Sequence, residues 1–152
     1  MINRNWIRTS LLGVAAIIVL AVPLLAHDTY ARRSTSQNET RHIDEIEWLE
    51  GAEGVSFGLL WGDWNTGPFG MIVKTEAGYT IPTHAHSHDY DGVTIQGNWG
   101  HIFGDGEDVV LPPGSYAKQV KGDFHSDYCT GPDDCLVLIH QHGPRSFIDA
   151  TE

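Results

Sequence analysis

Basic residues and cysteine are both scarce in this sequence of 152 residues. There are 9 Lys and Arg against 20 Asp and Glu, which gives a formal net charge of −11. So little positive charge argues against nucleic acid as a partner, because binding phosphate groups needs a basic face. The 2 cysteines are too few for a disulfide-rich scaffold or a four-cysteine zinc site. The sequence also has no Gly-x-Ser-x-Gly elbow, no His-Glu-x-x-His helix and no phosphate-binding loop.

Long hydrophobic runs are missing as well, except near the N-terminus. Residues 9–26 carry no charge and follow Arg4 and Arg8, which is the layout of a secretory signal peptide. An uncleaved membrane anchor is the alternative, since a bilayer span needs about 20 residues, and the protein would contact a membrane only in that case. Both interpretations place the following residues outside the cytoplasm, in the periplasm or secreted. We therefore divide the chain into a signal peptide or anchor (1–26), a polar tether (27–42) and a single domain (43–152).

Short apolar runs separated by turn residues make up most of that domain. Seven of them are typical of strands: 55–61, 69–75, 92–96, 99–103, 109–111, 116–120 and 135–140. Many short strands without long helices predict an all-β sandwich or a small barrel. Residues 44–50 are ambiguous between one or two helical turns and an irregular acidic lead-in, because Ile43, Ile46 and Leu49 recur at helical spacing.

Histidine is the residue that points to chemistry. His84 and His86 belong to the run Thr-His-Ala-His-Ser-His-Asp-Tyr-Asp at residues 83–91. Side chains two residues apart on a strand face the same way, about 7 Å apart, so two neutral imidazoles placed in this way can bind one metal ion. A solvent-exposed histidine loop that binds no metal is the alternative.

The surroundings of these histidines resemble the first motif of the cupin superfamily. That motif runs Gly, five residues, His-x-His, three or four residues, Glu, six residues, Gly. Its matching positions here are Gly78, His84, His86 and Gly97. The glutamate position is Tyr90, so the usual carboxylate ligand is missing from its place. Asp91 stands at the four-residue alternative and would be the carboxylate ligand if the strand carried a bulge there.

The second cupin motif fits the sequence in two registers. It runs Gly, five residues, Pro, one residue, Gly, two residues, His, three residues, Asn. A start at Gly106 puts Ala117 at the histidine position, whereas a start at Gly114 puts His125 there and Cys129 at the asparagine position. We prefer the second register because it supplies a third imidazole. The resemblance covers residues 55–142, and the runs at 60–63, 86–90 and 111–116 are similar to small uncharacterised bacterial single-domain cupins.

The resemblance implies a double-stranded β-helix, or jelly-roll barrel, with one divalent transition metal in its mouth. Its ligands would be His84, His86 and His125, with Asp91 as a less favoured fourth. Tyr90 and His88 would support the site around the metal. Fe, Zn, Cu, Ni and Mn all accept imidazole nitrogen, so the ligands do not select one of them. A small molecule is the expected substrate or ligand, and a homodimer is the expected assembly.

Two classes of function remain open for such a barrel. One is a metal-dependent, dioxygenase-like oxidoreductase acting on a small organic molecule, which the three histidines favour. The other is a non-catalytic module that binds or senses a small ligand, or a barrel that has lost its metal. Tyr90 in place of glutamate favours this second class.

The remaining cysteines and histidines allow smaller predictions. Cys129 and Cys135 flank the turn Thr-Gly-Pro-Asp-Asp, and an oxidising compartment would close them into a disulfide. Two free thiols, with Cys129 near the metal, are the alternative. His140 and His142 repeat the His-x-His spacing and could form a second, weaker metal site.

Overall fold

A computed structural model describes residues 38–150 of the chain. The signal peptide or anchor predicted for residues 1–26 lies outside the described residues, and so does most of the predicted tether. Within residues 38–150, no helix is both long enough and apolar enough to cross a membrane.

The described chain is built almost wholly of strands, as predicted. A 3₁₀ turn, Ile43–Glu45, precedes the strands β1 (Trp48–Glu50), β2 (Val55–Gly62), β3 (Phe69–Thr75), β4 (Thr80–Ala85), β5 (Tyr90–Gln96), β6 (Asn98–Phe103), β7 (Asp108–Leu111), β8 (Tyr116–Gln119), β9 (His125–Thr130), β10 (Cys135–Gln141) and β11 (Ile148–Asp149). They form two antiparallel sheets, ordered β1-β2-β3-β10-β5-β8 and β11-β4-β9-β6-β7. The seven predicted strands are all present, within one or two residues at their ends.

The hydrophobic core lies between the two sheets. Its buried members are Trp64, Phe69, Met71, Tyr90, Trp99, Ala117, Val137 and Ile139. Trp99 on β6 reaches across to β5, where Gly92 leaves room for the indole: a Cβ atom at Gly92 would lie 2.9 Å from the ring. Burying one large apolar side chain contributes about 1.5–3 kcal/mol, so this cluster accounts for much of the stability of the fold.

Residues 44–50 form neither the predicted one or two helical turns nor a fully irregular segment. Only Ile43–Glu45 is helical, and the chain then enters β1. Ile46 is buried against Gly58 on one side of β2, whereas Leu49 packs on the hydrophobic core on the other side. Ile46 and Leu49 are three residues apart, as in a helix, but they cover opposite faces of the edge of the six-stranded sheet.

Glycines at the ends of the first motif shape the turns around the histidines. Gly78 precedes β4 with φ 83°, and Gly97 joins β5 to β6 with φ 74°. Side-chain-bearing residues rarely adopt this left-handed region, so both positions favour glycine. The turn at Gly78 fixes where β4 begins, and the turn at Gly97 fixes where β5 ends. These two strands carry His84 and Tyr90.

Two cysteines at disulfide-bonding distance connect the two sheets. Cys129 on β9 and Cys135 on β10 have their sulfur atoms 2.11 Å apart, and neither cysteine is free. The predicted pairing is therefore present, and thiolate ligation of a metal by Cys129 is not.

Candidate metal centre

The three predicted histidines come together where β4 and β9 run side by side. His84 near the end of β4 lies opposite His125, the first residue of β9, and His86 follows β4 directly. The imidazole centroids of His84 and His125 are 4.3 Å apart, and that of His86 lies 5.0 Å and 5.4 Å from them. One ring nitrogen of each histidine lies within 4.8 Å of the other two, so the group could hold a metal ion.

Each of the three rings has its Nδ1 atom facing a backbone carbonyl oxygen. Nδ1 lies 2.8 Å from Pro82 O in His84, 2.7 Å from Ser146 O in His86 and 3.3 Å from Asp123 O in His125. A carbonyl oxygen only accepts hydrogen bonds, so each Nδ1 carries the proton and each neutral ring keeps a lone pair on Nε2. Metal-binding histidines use this same arrangement, in which the second nitrogen donates to an outer acceptor.

Burial keeps two of these rings neutral. It lowers the pKa of His125 to about 4, although Asp127 acts in the opposite direction. Burial also lowers the pKa of His86, against the hydrogen bond to Ser146. Neutral imidazoles bind metal without first releasing a proton, so these two rings are ready ligands at neutral pH.

Tyr90 occupies the place of the missing glutamate. It is the first residue of β5, it is buried, and its hydroxyl oxygen lies 3.2 Å from Nε2 of His125. Burial, with a smaller effect of Asp127, raises the pKa of Tyr90 well above its usual value. The side chain is therefore a neutral phenol that can donate a hydrogen bond into the site.

Asp91 is not brought into this group. β5 pairs with β10 without a bulge at this point, since Tyr90 lies opposite Gln141 and Asp91 opposite His140. With Tyr90 directed inward, the alternation of the strand turns Asp91 to the outer face of the six-stranded sheet. The bulge that would have made Asp91 a ligand of the inner group is not formed.

His88 also lies outside the inner group. Its Nδ1 is 3.0 Å from the hydroxyl of Ser87, and its ring packs over Gly143. A Cβ atom at Gly143 would lie 2.2 Å from this ring. His88 therefore packs on the loop that follows β10 and has no described contact with the three histidines.

Asp91 instead joins the second His-x-His pair in an outer group. Its Oδ2 accepts a hydrogen bond from Nε2 of His142 at 2.7 Å, and its Oδ1 accepts one from the hydroxyl of Tyr116 at 2.5 Å. Ligand atoms of Asp91, His140 and His142 lie within 4.8 Å of one another. His140 and His142 are exposed, so this group resembles the weaker second site predicted for the pair, with a carboxylate that the sequence did not indicate.

Asp127 is the inner carboxylate that the sequence analysis missed. It lies two residues after His125 on β9, so the two side chains share the interior face of the strand. Its Oδ1 accepts hydrogen bonds from Trp99 Nε1 at 2.8 Å and from His101 Nδ1 at 2.6 Å. Burial by itself raises the pKa of Asp127, but the hydrogen bond and the charge interactions with neighbouring histidines outweigh burial and lower it. The carboxyl group is therefore ionised.

His101 connects Asp127 back to the inner histidines. Its Nε2 lies 3.1 Å from Oε1 of Gln119, while Nε2 of Gln119 donates to Asp123 O at 2.8 Å. The same carbonyl accepts the Nδ1 proton of His125. Both ring nitrogens of His101 thus lie within hydrogen-bonding distance of a side-chain oxygen, which fixes the position of the ring.

A cavity of about 490 Å³ opens next to the inner histidines. Its walls are largely apolar side chains from the six-stranded sheet: Val55, Phe57, Met71, Val73, Val137 and Ile139. Its polar lining includes His84, His86, Tyr90 and Asp127, as well as Thr75, Gln141, Arg145 and Ser146. Phe147 stacks on His84 with ring centroids 4.5 Å apart and remains exposed to solvent. The volume and the largely apolar lining with a few polar groups suit a small organic molecule.

Comparison with protein-family models now identifies the chain. Residues 36–145 match the model of the ChrR cupin-like domain. The chain belongs to this cupin family. A search of curated proteins found no match. Cupins commonly bind a metal, which agrees with the histidine and aspartate groups of this member.

Solved structures share the cupin fold at low sequence identity. KdgF from Halomonas sp. has a TM-score of 0.58 and 23% identity, over 69% of this chain and 94% of that one. The polyketide cyclase RemF from Streptomyces resistomycificus has a TM-score of 0.62 and 15% identity, over 75% and 86%. The DMSP lyase DddQ from Ruegeria pomeroyi has a TM-score of 0.60 and 16% identity, over 69% and 61%. The jelly-roll fold predicted from the motifs is confirmed.

Proposed function

We propose that this chain is an exported, metal-dependent cupin enzyme that acts on a small organic molecule. His84, His86 and His125 hold one divalent transition-metal ion, and the substrate occupies the adjoining cavity. The observation that carries the proposal is the proximity of the three rings. One ring nitrogen of each histidine lies within 4.8 Å of the other two, and each Nδ1 is within hydrogen-bonding distance of a backbone carbonyl, which leaves each Nε2 lone pair available to a metal.

The residues around this point suit recognition of an oxygen-bearing group. A bound metal ion supplies a Lewis acid and open coordination positions for substrate or oxygen. The Tyr90 phenol donates a hydrogen bond from the lining of the same cavity, and its high pKa keeps that proton in place. The apolar walls bind the body of the substrate and exclude water. We therefore expect a substrate with an apolar body and one polar, oxygen-containing end.

Export is supported by the cysteine pair. Disulfides persist in the periplasm and outside the cell, and are reduced in most cytosols. Both cysteines of the chain lie at disulfide distance in a protein that also begins with a signal-like run. Known cupins of similar fold include a polyketide cyclase and DMSP lyases, so the fold supports small-molecule chemistry of more than one kind.

A non-catalytic, ligand-binding cupin is the second candidate. Asp127 is the one carboxylate among the residues that line the cavity, and its Oδ1 is already bonded by Trp99 and His101. Among the described residues, Oδ2 of Asp127 is therefore the only carboxylate oxygen that could act as a general base in the cavity, and it would be lost to that role if it bound the metal. If the metal supplies no reaction, the same cavity serves binding alone.

Elemental analysis of the exported, untagged protein purified without chelator tests the proposal. We expect one equivalent of metal in the wild type and in His88→Ala, and its loss in His125→Ala. Equal loss in His88→Ala and His125→Ala would contradict the proposed ligands. If the wild type holds no metal even after reconstitution, the metal-dependent function is wrong.

The metal found then directs the activity measurement. With one equivalent of iron, oxygen uptake in the presence of phenolic and thiol compounds tests the dioxygenase-like reaction. With another metal, loss of substrate without oxygen uptake indicates a cyclase-like or lyase-like reaction. Binding of such compounds without turnover under either condition supports the ligand-binding candidate instead.

A further inference from the structure

We infer that Asp127 supplies the carboxylate ligand that position 90 lacks, completing a site of three histidines and one aspartate. This inference rests on the proposed function, since it concerns the same metal ion. It moves the carboxylate from β5, where the motif places it, to β9, two residues beyond His125. Tyr90 is then released from any ligand role and can serve the substrate.

The orientation of Asp127 is the first support. The two donors that hold its side chain, Trp99 Nε1 and His101 Nδ1, both bond Oδ1. Oδ2 is directed the other way, toward the inner histidines. It lies 3.6 Å from Nε2 of His125 and 4.0 Å from Nε2 of His84.

The chemistry of these neighbours is the second support. The Nδ1 protons of His84 and His125 face backbone carbonyls, so their Nε2 atoms present lone pairs to Oδ2. The Tyr90 hydroxyl lies 3.2 Å from the Nε2 atom of His125, but the Nε2 atom of His84 and Oδ2 of Asp127 face each other, and a bound cation would stabilise this arrangement. Ligand atoms that share one first-row metal ion lie about 3–3.5 Å apart, so the distance from Oδ2 to His125 is near this range, whereas the distance to His84 is longer and would shorten when a metal binds.

The support behind Asp127 is the third observation. His101 is fully buried, bonds Oδ1 of Asp127, and faces Gln119 with its other nitrogen. Gln119 bonds the Asp123 carbonyl that also orients His125. Asp127 and His125 are thus held by one continuous hydrogen-bonded loop. Metal ligands in proteins are generally supported by outer hydrogen bonds of this kind.

Titration of the metal-free, full-length protein with Co²⁺ and Zn²⁺ tests the inference. Affinity is measured by competition with a chromophoric chelator, and coordination by the visible absorption of bound Co²⁺. Asp127→Asn keeps the shape of the side chain and the acceptor for Trp99 and His101. We expect it to bind at least about tenfold more weakly and to change the Co²⁺ spectrum. Asp105→Asn, in the exposed turn after β6, is the matched control and should leave both the affinity and the spectrum unchanged.

The possible outcomes distinguish failure of this inference from failure of the proposed function. If Asp127→Asn binds with wild-type affinity and spectrum while His84→Ala does not bind, Asp127 is not a ligand and the three-histidine site stands. If the wild type does not bind either metal, or His84→Ala binds equally well, the proposed function fails and the inference fails with it.

A second measurement does not depend on how well the variant folds. Infrared difference spectra of the wild-type protein, labelled with ¹³C in its aspartate carboxyl groups, are recorded with and without Zn²⁺. We expect one aspartate carboxylate stretch to shift when the tight site fills, in both the wild type and Asp91→Asn. No shift at one equivalent of Zn²⁺ would overturn the inference.

Discussion

The His-x-His pair His84/His86 and the pair His140/His142 have identical spacing but lie in opposite surroundings. His84 and His86 lie beside a cavity between the sheets, with their Nδ1 atoms on backbone carbonyls. His140 and His142 lie on the outer face of the six-stranded sheet, exposed to solvent. There His142 uses Nε2 to bond Asp91, so the nitrogen that a metal would need is already paired with a carboxylate.

The difference teaches what a two-residue spacing can and cannot predict. It places two side chains on the same face of a strand, but it does not say which face is buried. β10 lies between β3 and β5, and Val137, Ile139 and Gln141 fill its inward positions. His140 must therefore point outward. We expect the inner pair to bind metal tightly because it is oriented and sheltered, and the outer pair to bind weakly.

Removing one ring from each pair should show the largest contrast. His84→Ala is expected to lose stoichiometric metal, because two imidazoles and one carboxylate remain in a site built for more ligands. His140→Ala should keep one tightly bound equivalent, since its ring lies outside the cavity. Elemental analysis of both variants, with thermal melts to check folding, measures this. Equal retention in the two variants would remove the distinction between the pairs.

Acid should destabilise the metal-free protein through the inner group. The pKa of His125 is about 4 in the folded chain against 6.5 without burial, so between these values the unfolded chain binds the additional proton. The contribution of His125 to the free energy of unfolding is therefore fully present above pH 6.5. It is lost as the pH falls toward 4, which lowers the free energy of unfolding by at most about 3 kcal/mol. Urea unfolding in chelator from pH 7 to pH 4.5 measures the loss.

A variant identifies the source of this pH dependence. His125→Gln should show a shallower decrease over the same range, with the remainder due to His86, whose pKa is also lowered. Aspartate and glutamate begin to titrate near the acid end of this range, but their contribution is common to the wild type and the variant, so the difference between the two reports on His125. A decrease as steep in His125→Gln as in the wild type would assign the effect to other groups.

The disulfide links the strand of the inner group to the strand of the outer pair. Replacing Cys129 and Cys135 together with serine should lower the free energy of unfolding by about 2 kcal/mol, as expected for a short loop. Urea unfolding of oxidised wild type and variant measures the difference, and a thiol count of the denatured wild type should be zero. Two reactive thiols in protein exported to its own compartment would rule out the bond.

The smallest effect is expected in the outer group. Asp91→Asn weakens a partly exposed hydrogen bond with His142, which is worth less than about 0.5 kcal/mol in folding. The same change should abolish any weak second equivalent of metal while leaving the first unchanged. Titration beyond one equivalent, followed by calorimetry, distinguishes the two groups. A persistent second equivalent would show that the outer histidines bind metal without Asp91.

Much of the fold could be predicted from the sequence because seven strands carry apolar side chains between clear turns. β9 was not predicted, and its composition explains why. Its inward positions are His125, Asp127 and Cys129, so the alternation of a strand is present but its buried face is polar. A search for apolar periodicity does not find such a strand. Strands that carry a site can be missed for this reason.

The candidate site was predictable only in part, for a related reason. The three histidines could be predicted because a motif spaces them along the chain. Asp127 belongs to no motif position. It lies two residues after His125, so on a strand the two side chains face the same way, and this spacing could have indicated Asp127 as a site residue. His101 gave no such signal, because its role depends on Trp99, Asp127 and Gln119 meeting in three dimensions.

The central place of β10 has a consequence for how the chain is made. This strand joins β3 to β5, and it is the last long strand of the described residues to be synthesised. Until residues 135–141 are available, β3 and β5 each keep an unpaired edge, and exposed edges invite aggregation. The six-stranded sheet therefore closes only after nearly the whole domain has left the ribosome. A chain bound for export would stay open long enough to be translocated unfolded, and would complete its barrel on the far side.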